Sequence, residues 1–156
     1  GEGGVCGGGG ATGGYPATTQ PSSSLSSAIS SAASTLTGMS TRNAAGTNSG
    51  RLACAYAVNE VLRSAGIAPI DHLSVASMES GLRSGRGTLI TQSSAVAGDI
   101  VIEAGTSHVG ICLNTGCTRV ISNSSSNASF SWVSGPDFAP SYTNGVGRFY
   151  RVTSNG

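Results

Sequence analysis

The sequence predicts an α+β domain in which helices come first and an antiparallel sheet second. Two observations carry this expectation. Apolar residues recur at helical spacing between Leu25 and Leu62, whereas from Asp99 onward they fall in short β-branched runs broken by Gly, Asn, Ser and Pro. Runs of helix followed by runs of strand argue for helices packed on an antiparallel sheet. The 156 residues hold one ordinary domain plus a tail. We expect residues 1–21 to be a Gly-rich flexible tail or linker and residues 22–156 to form the domain. The tail contains the run Gly7 to Gly10, and such a composition buries too little apolar surface to offset its ordering entropy.

The elements follow in chain order. Leu25, Ile29, Ala32, Ala33 and Leu36 line one face of a thin helix from Ser22 to about Thr37, against the alternative of a disordered Ser-rich spacer. A loop from Gly38 to Gly50 leads into the strongest helix, Leu52 to Ala65. There Leu52, Tyr56, Val58, Val61 and Leu62 share a face, and Gly66 and Pro69 end the helix. A polar connection with helical turns around Leu73 to Leu82 follows. Strands are expected at Asp99 to Glu103, His108 to Leu113, Thr118 to Ser122 and Arg148 to Val152.

Composition excludes several functions. Charged residues make up 10% and the net charge is +1, a field too weak to gather polyanions, so nucleic acid is not an expected partner. No apolar run approaches the roughly 20 residues of a membrane span. The chain opens on Gly1 rather than Met, and we expect a processed product or a piece of something longer, with any export signal removed. The Gly-rich start lacks the GxxxxGK[ST] arrangement of a phosphate loop, and Ser122 to Ser126 lack a nucleophile elbow.

Four cysteines, Cys6, Cys54, Cys112 and Cys117, are too few and too unevenly spaced for a dense disulfide framework. Cys112 and Cys117 flank the turn formers Asn114 and Gly116, where a cross-hairpin disulfide, a pair of reduced thiols and a zinc site are all open; the last needs two further ligands. Cys54 stands in the first turn of the best helix. Unpaired amides and the positive end of the helix dipole favour its thiolate there, the attacking species of cysteine nucleophiles. Those amides, with the N–H of Cys54, would also suit an oxyanion hole. Alone, however, a cysteine is more often an inert core residue.

His108 shifts that balance, because it opens an apolar strand directly after Gly105, Thr106 and Ser107, a rigid place to hold a base. The alternatives are His72, in a polar connection with no comparable setting, and a purely structural role for both histidines. A third group must fix the imidazole's tautomer and orientation. With an even-length turn in LNTG, residues sharing a face across the hairpin have numbers summing to an odd value, which puts Asn123 with His108 and Ser122 on the other side. An odd-length turn or a bulge reverses the choice. Asp99, after Gly98, reads as a turn and strand-start residue rather than a catalytic acid.

The order LACAYAVNEVLRSAG, AGDIVIEAG, SHVGICL resembles the NlpC/P60 and CHAP group of papain-like cysteine hydrolases, over roughly Ser22 to Val152. The resemblance implies a papain-like fold, N-terminal helices packed on a small antiparallel β-sheet. It also implies cleavage of peptide or amide bonds in bacterial cell-wall stem peptides through an acyl-enzyme on the cysteine. Carried over, Cys54 is the nucleophile and His108 the general base, and the orienting residue falls in VISNS at Asn123 or Ser122. Asn48 is a candidate oxyanion-hole side chain. Ala53-Cys54-Ala55-Tyr56 matches neither subfamily's cysteine block well. The expected partner is peptidoglycan, with no cofactor and no metal, in an extracellular, periplasmic or virion-associated setting such as a phage tail lysin, autolysin or secreted effector. The Gly-rich start would be the tether to a larger assembly. Two other readings stand beside it: a non-catalytic wall-binding or assembly module of the same fold, which an oxidised or deeply buried Cys54 would favour, and a thiol acyltransferase or protease acting on proteins.

Overall fold

Val101 and its neighbours Ile100 and Ile102 form a strand buried on both faces, as a continuous β-branched run requires. In the computed structural model, which describes Cys6 and residues 24–71 and 74–156, this strand lies inside a six-stranded antiparallel sheet. The elements are α1 (Ser24–Leu36), α2 (Cys54–Ser64), α3 (Val75–Gly81), β1 (Gly87–Ile90), β2 (Ile100–Ile102), β3 (Val109–Cys112), β4 (Val120–Ser124), β5 (Ser129–Ser134) and β6 (Arg148–Val152). The strand order is β1-β6-β2-β3-β4-β5. Both helices predicted at the start of the domain are present within two residues of their expected bounds, as are the four expected strands. Two strands were not anticipated: β1, and β5 inside the Ser-rich stretch. Apart from Cys6, the Gly-rich tail expected at residues 1–21 lies outside the described residues.

Side-chain alternation splits the core into two layers. Ile100, Ile102, Val109, Ile111, Ile121, Tyr150 and Val152 meet the apolar faces of α1 and α2. On the other face Val101, Cys112, Val120 and Phe149 pack with Ile90, Ala95 and Phe138. Helix α2 lies across β3 and β4, so its first turn comes up against the start of β3. Its interior is apolar to the point that Ala55, Ala57, Val58, Val61 and Leu62 are fully buried, while Leu52, expected on the same face, is 40% exposed and precedes the helix.

The turn before β2 explains its glycine. Gly98 has φ +97°, and a methyl group there would stand 1.9 Å from the carbonyl oxygen of Ser26 in α1, so only glycine lets helix and strand approach this closely. The following Asp99 is completely buried and pairs with Arg151 of β6: Arg151 Nη2 donates to Oδ2 at 2.7 Å and Nε to Oδ1 at 3.1 Å. Ser26 Oγ and the Val96 N–H donate to the same carboxylate. Asp99 thus ties α1, the strand-start turn and β6 together, which agrees with its reading as structural.

No helix among the described residues is long and apolar enough to cross a membrane.

Candidate active site

Helix α2 begins at Cys54 without a side-chain cap. Ala53 at the N-cap supplies no acceptor, so the first-turn amides have no side-chain partner there. Cys54 is 1% exposed and is bonded through a disulfide to Cys6, itself 1% exposed. The free thiol expected at Cys54 is therefore absent in this form, and its partner is the cysteine that spacing could not assign. Cys6 is further anchored by its backbone N–H, which donates to the Ser107 carbonyl at 3.1 Å.

His108 stands beside this pair. Its Nδ1 is 3.4 Å from Cys6 Sγ, and the donor atoms of Cys6, Cys54 and His108 all lie within 4.8 Å of one another. Its Nε2 is 3.0 Å from Ser122 Oγ. The ring is completely buried among aromatic neighbours: Tyr142 stacks on it at 5.5 Å, Phe138 meets it edge-on at 5.0 Å and Trp132 tilts against it at 5.4 Å. Burial disfavours the imidazolium and pulls the His108 pKa down from 6.5 to about 3, so the ring is neutral at physiological pH. The adjoining Tyr142 hydroxyl is pushed above its ordinary range, by burial first and then by the charge of Glu103.

The placement of Ser122 corrects the expectation for Asn123. In the β3–β4 register Ile111 faces Ile121 and Cys112 faces Val120, and Leu113 N–H donates to Arg119 O, leaving the odd-length turn Asn114 to Thr118. Facing residues then have numbers summing to an even value, which turns Ser122 toward His108 and Asn123 to the opposite face. Asn123 is spoken for there: its Oδ1 accepts from Thr41 Oγ1 at 2.7 Å and its Nδ2 donates to Gly50 O at 2.9 Å. It fastens the loop before α2 to the sheet. The turn itself is closed by the Cys112–Cys117 disulfide, with Gly116 (φ 82°) and Cys117 (φ 48°) both left-handed.

Asn48 is exposed at a left-handed turn (φ 53°), where its carbonyl accepts from the Arg51 N–H. An exposed amide of this kind does not line a sulfur as buried as that of Cys54. His72 lies outside the described residues.

The segment that presents His108 rests on two residues that sequence reading passed over. Glu103 Oε1 accepts from Ser107 N–H, its backbone N–H donates to His108 O at 2.8 Å, and Asn144 donates to its other oxygen. Arg148 donates to Ala104 O and Thr106 Oγ1 and forks onto the Glu79 carboxylate. Burial raises the pKa of Glu79, but hydrogen bonds from Arg148 and Tyr150 and the charges of Arg148 and Arg83 outweigh it and leave Glu79 ionised below its ordinary range. Arg148 and Tyr150 lie 69 and 71 positions from Glu79 in the chain, and no local pattern announces either contact.

A cavity of about 460 Å³ lies along the outer side of α2, lined by Ala45, Tyr56, Asn59, Glu60, Arg63, Pro69 and Asp71; neither Cys54 nor His108 opens into it.

What fold and site define together is an α+β domain carrying a buried Cys–Cys–His–Ser cluster where the first helix turn of α2 meets the sheet. No family model, curated protein or solved structure matches the chain.

Proposed function

We propose that this chain is a papain-like cysteine hydrolase of the NlpC/P60 and CHAP kind, latent in its disulfide form, that cleaves peptide or amide bonds of bacterial peptidoglycan outside the cytoplasm. One observation carries the proposal: His108 Nδ1 faces the Cys6–Cys54 sulfur pair, 3.4 Å from Cys6 Sγ and within 4.8 Å of the Cys54 sulfur in the first turn of α2, while Nε2 meets Ser122 Oγ at 3.0 Å.

The chemistry begins with reduction. A thiol or phosphine reductant supplies two electrons to the Cys6–Cys54 bond and leaves two thiols. Nδ1 of His108 then takes the Cys54 proton, and Ser122 Oγ accepts from Nε2–H and holds the ring in register. The thiolate attacks the amide carbonyl carbon, and the α2 amides receive the developing oxyanion. The imidazolium returns its proton to the departing amine, leaving a thioester on Cys54. His108 next removes a proton from water, whose oxygen attacks the thioester and releases the acid and the thiol. The amino-acid order around Cys54, Asp99 and His108 points to the stem-peptide substrate by resemblance, and the two disulfides suit an exported protein.

A second reading has its own observation. The bonded, 1% exposed Cys54 fits a non-catalytic wall-binding module in which the Cys6 link is a structural staple. Digestion of purified peptidoglycan with and without reductant, read by mass spectrometry of the released fragments, separates the two. The hydrolase releases fragments with new amino and carboxyl ends in reductant, and Cys54→Ala releases none. Fragment release that persists in Cys54→Ala, or no release by the reduced wild-type chain, overturns the hydrolase proposal.

A further inference from the structure

Three soft donors converge in one buried place: the sulfurs of Cys6 and Cys54 and Nδ1 of His108, all within 4.8 Å of one another, with the residues at most 1% exposed. In the disulfide the sulfurs have no thiolate to offer. Once reduced they have two.

We propose that Cys6, Cys54 and His108 form a binding site for a thiophilic divalent cation, zinc foremost, when the Cys6–Cys54 bond is reduced. Tetrahedral zinc holds sulfur at about 2.3 Å and imidazole nitrogen at about 2.0–2.1 Å, which sets sulfur and nitrogen about 3.6 Å apart and two sulfurs about 3.8 Å apart. The Cys6 sulfur and His108 Nδ1 already stand 3.4 Å apart. Only the two sulfurs must part from bonding distance, while the backbone N–H of Cys6 stays tied to the Ser107 carbonyl.

Charge favours the same conclusion. Two thiolates and a neutral imidazole cancel the cation's two positive charges, so the complete site is neutral, whereas two bare thiolates in the same dry position would be costly. The imidazole is also oriented as metal-bound histidines are: the nitrogen turned away from the metal has a fixed partner, Ser122 Oγ at 3.0 Å. Trp132, Phe138 and Tyr142 hold the ring on its other sides. The fourth tetrahedral position is left to water.

The steps balance. A water-soluble phosphine and one water give the phosphine oxide and two thiols, and cation binding then releases the two thiol protons. Metal uptake needs no substrate, so it stands or falls separately from hydrolysis.

The test uses the full chain carrying Cys112→Ser and Cys117→Ser, which removes the other thiol pair. The protein is reduced with phosphine, freed of excess reductant under anaerobic conditions and titrated with Co²⁺, then with Zn²⁺. The site predicts one equivalent of Co²⁺ with thiolate-to-cobalt charge-transfer absorption, displaced by one equivalent of Zn²⁺. Cys6→Ser, a substitution outside every helix and strand, weakens binding by more than the roughly 10–100-fold that loss of an outer partner costs, and Ser122→Ala weakens it within that range while keeping the absorption band. No charge-transfer band in the reduced parent overturns the site, as does binding that Cys6→Ser leaves unchanged.

Discussion

Replacing Asp99 with Asn removes one charge from a pair that is 0% and 1% exposed, at nearly constant volume. Arg151 keeps its carbonyl contact to Ser94 at 2.9 Å but loses the carboxylate that answers Nε and Nη2. Breaking a buried pair from one side typically costs about 3–5 kcal/mol, because the remaining charge is left in a dry site. A domain of about 130 residues unfolds with an entropy near 0.27 kcal/mol/K, which converts this loss to a drop of about 11–18 °C in Tm. Scanning calorimetry of the oxidised protein reads it directly. The paired replacement Asp99→Leu with Arg151→Met should recover only part of the loss: it leaves no stranded charge, but the Ser26 hydroxyl and Val96 N–H lose their acceptor. A drop below about 3 °C for Asp99→Asn, equivalent to under ~1 kcal/mol, would mean that this pair does not hold α1, the turn and β6 together.

Further outcomes follow from the same geometry. Ser122→Ala should lower the reduced protein's hydrolytic rate by about 100-fold through loss of ring orientation. Asn123→Ala should instead cost about 1–3 kcal/mol of stability by freeing the Thr41 and Gly50 partners, and equal effects of the two on rate would contradict the corrected face assignment. The His108 pKa is lower in the folded state, so stability is full above pH 6.5 and is lost as pH falls from 6.5 toward 3. Denaturant titrations of the oxidised form should show up to about 1.4 kcal/mol lost per pH unit below 6.5; a flat profile from pH 6.5 to 5, above the range where Glu79 takes up its proton, would count against a buried neutral ring. Cutting the Cys112–Cys117 bond by double Ser substitution should cost about 2 kcal/mol, given the short five-position loop it closes, with no change in fragment release.

Helix α2 and the strands β2, β3, β4 and β6 were legible because each concentrates apolar residues at its own period, and burial acts on that period directly. Strand β1 was not, since GTLI starts on glycine and is mostly half-buried. Strand β5 hid its Phe130 and Trp132 among serines at the sheet edge, where half of each strand face meets solvent. The His108 neighbourhood shows the limit more sharply. Side-chain alternation made the choice between Ser122 and Asn123 a question of one residue in the turn, and the turn's length depends on where Leu113 and Arg119 pair. Cys6 and Cys54 are 48 positions apart, and no spacing rule selects that pairing among four cysteines. Likewise the Glu79–Arg148 fork is tertiary, assembled only when α3 meets β6.

In the proposed mechanism Cys54 becomes a nucleophile, activated by His108, once its bond to Cys6 is broken. The most direct measurement is the rate of peptidoglycan fragment release by Cys6→Ser in the absence of any reductant. Release equal to that of the reduced wild-type chain is expected, with the Cys6→Ser/Cys54→Ala double variant at background. Release that still requires reductant in Cys6→Ser, or that survives loss of Cys54, would contradict that mechanism.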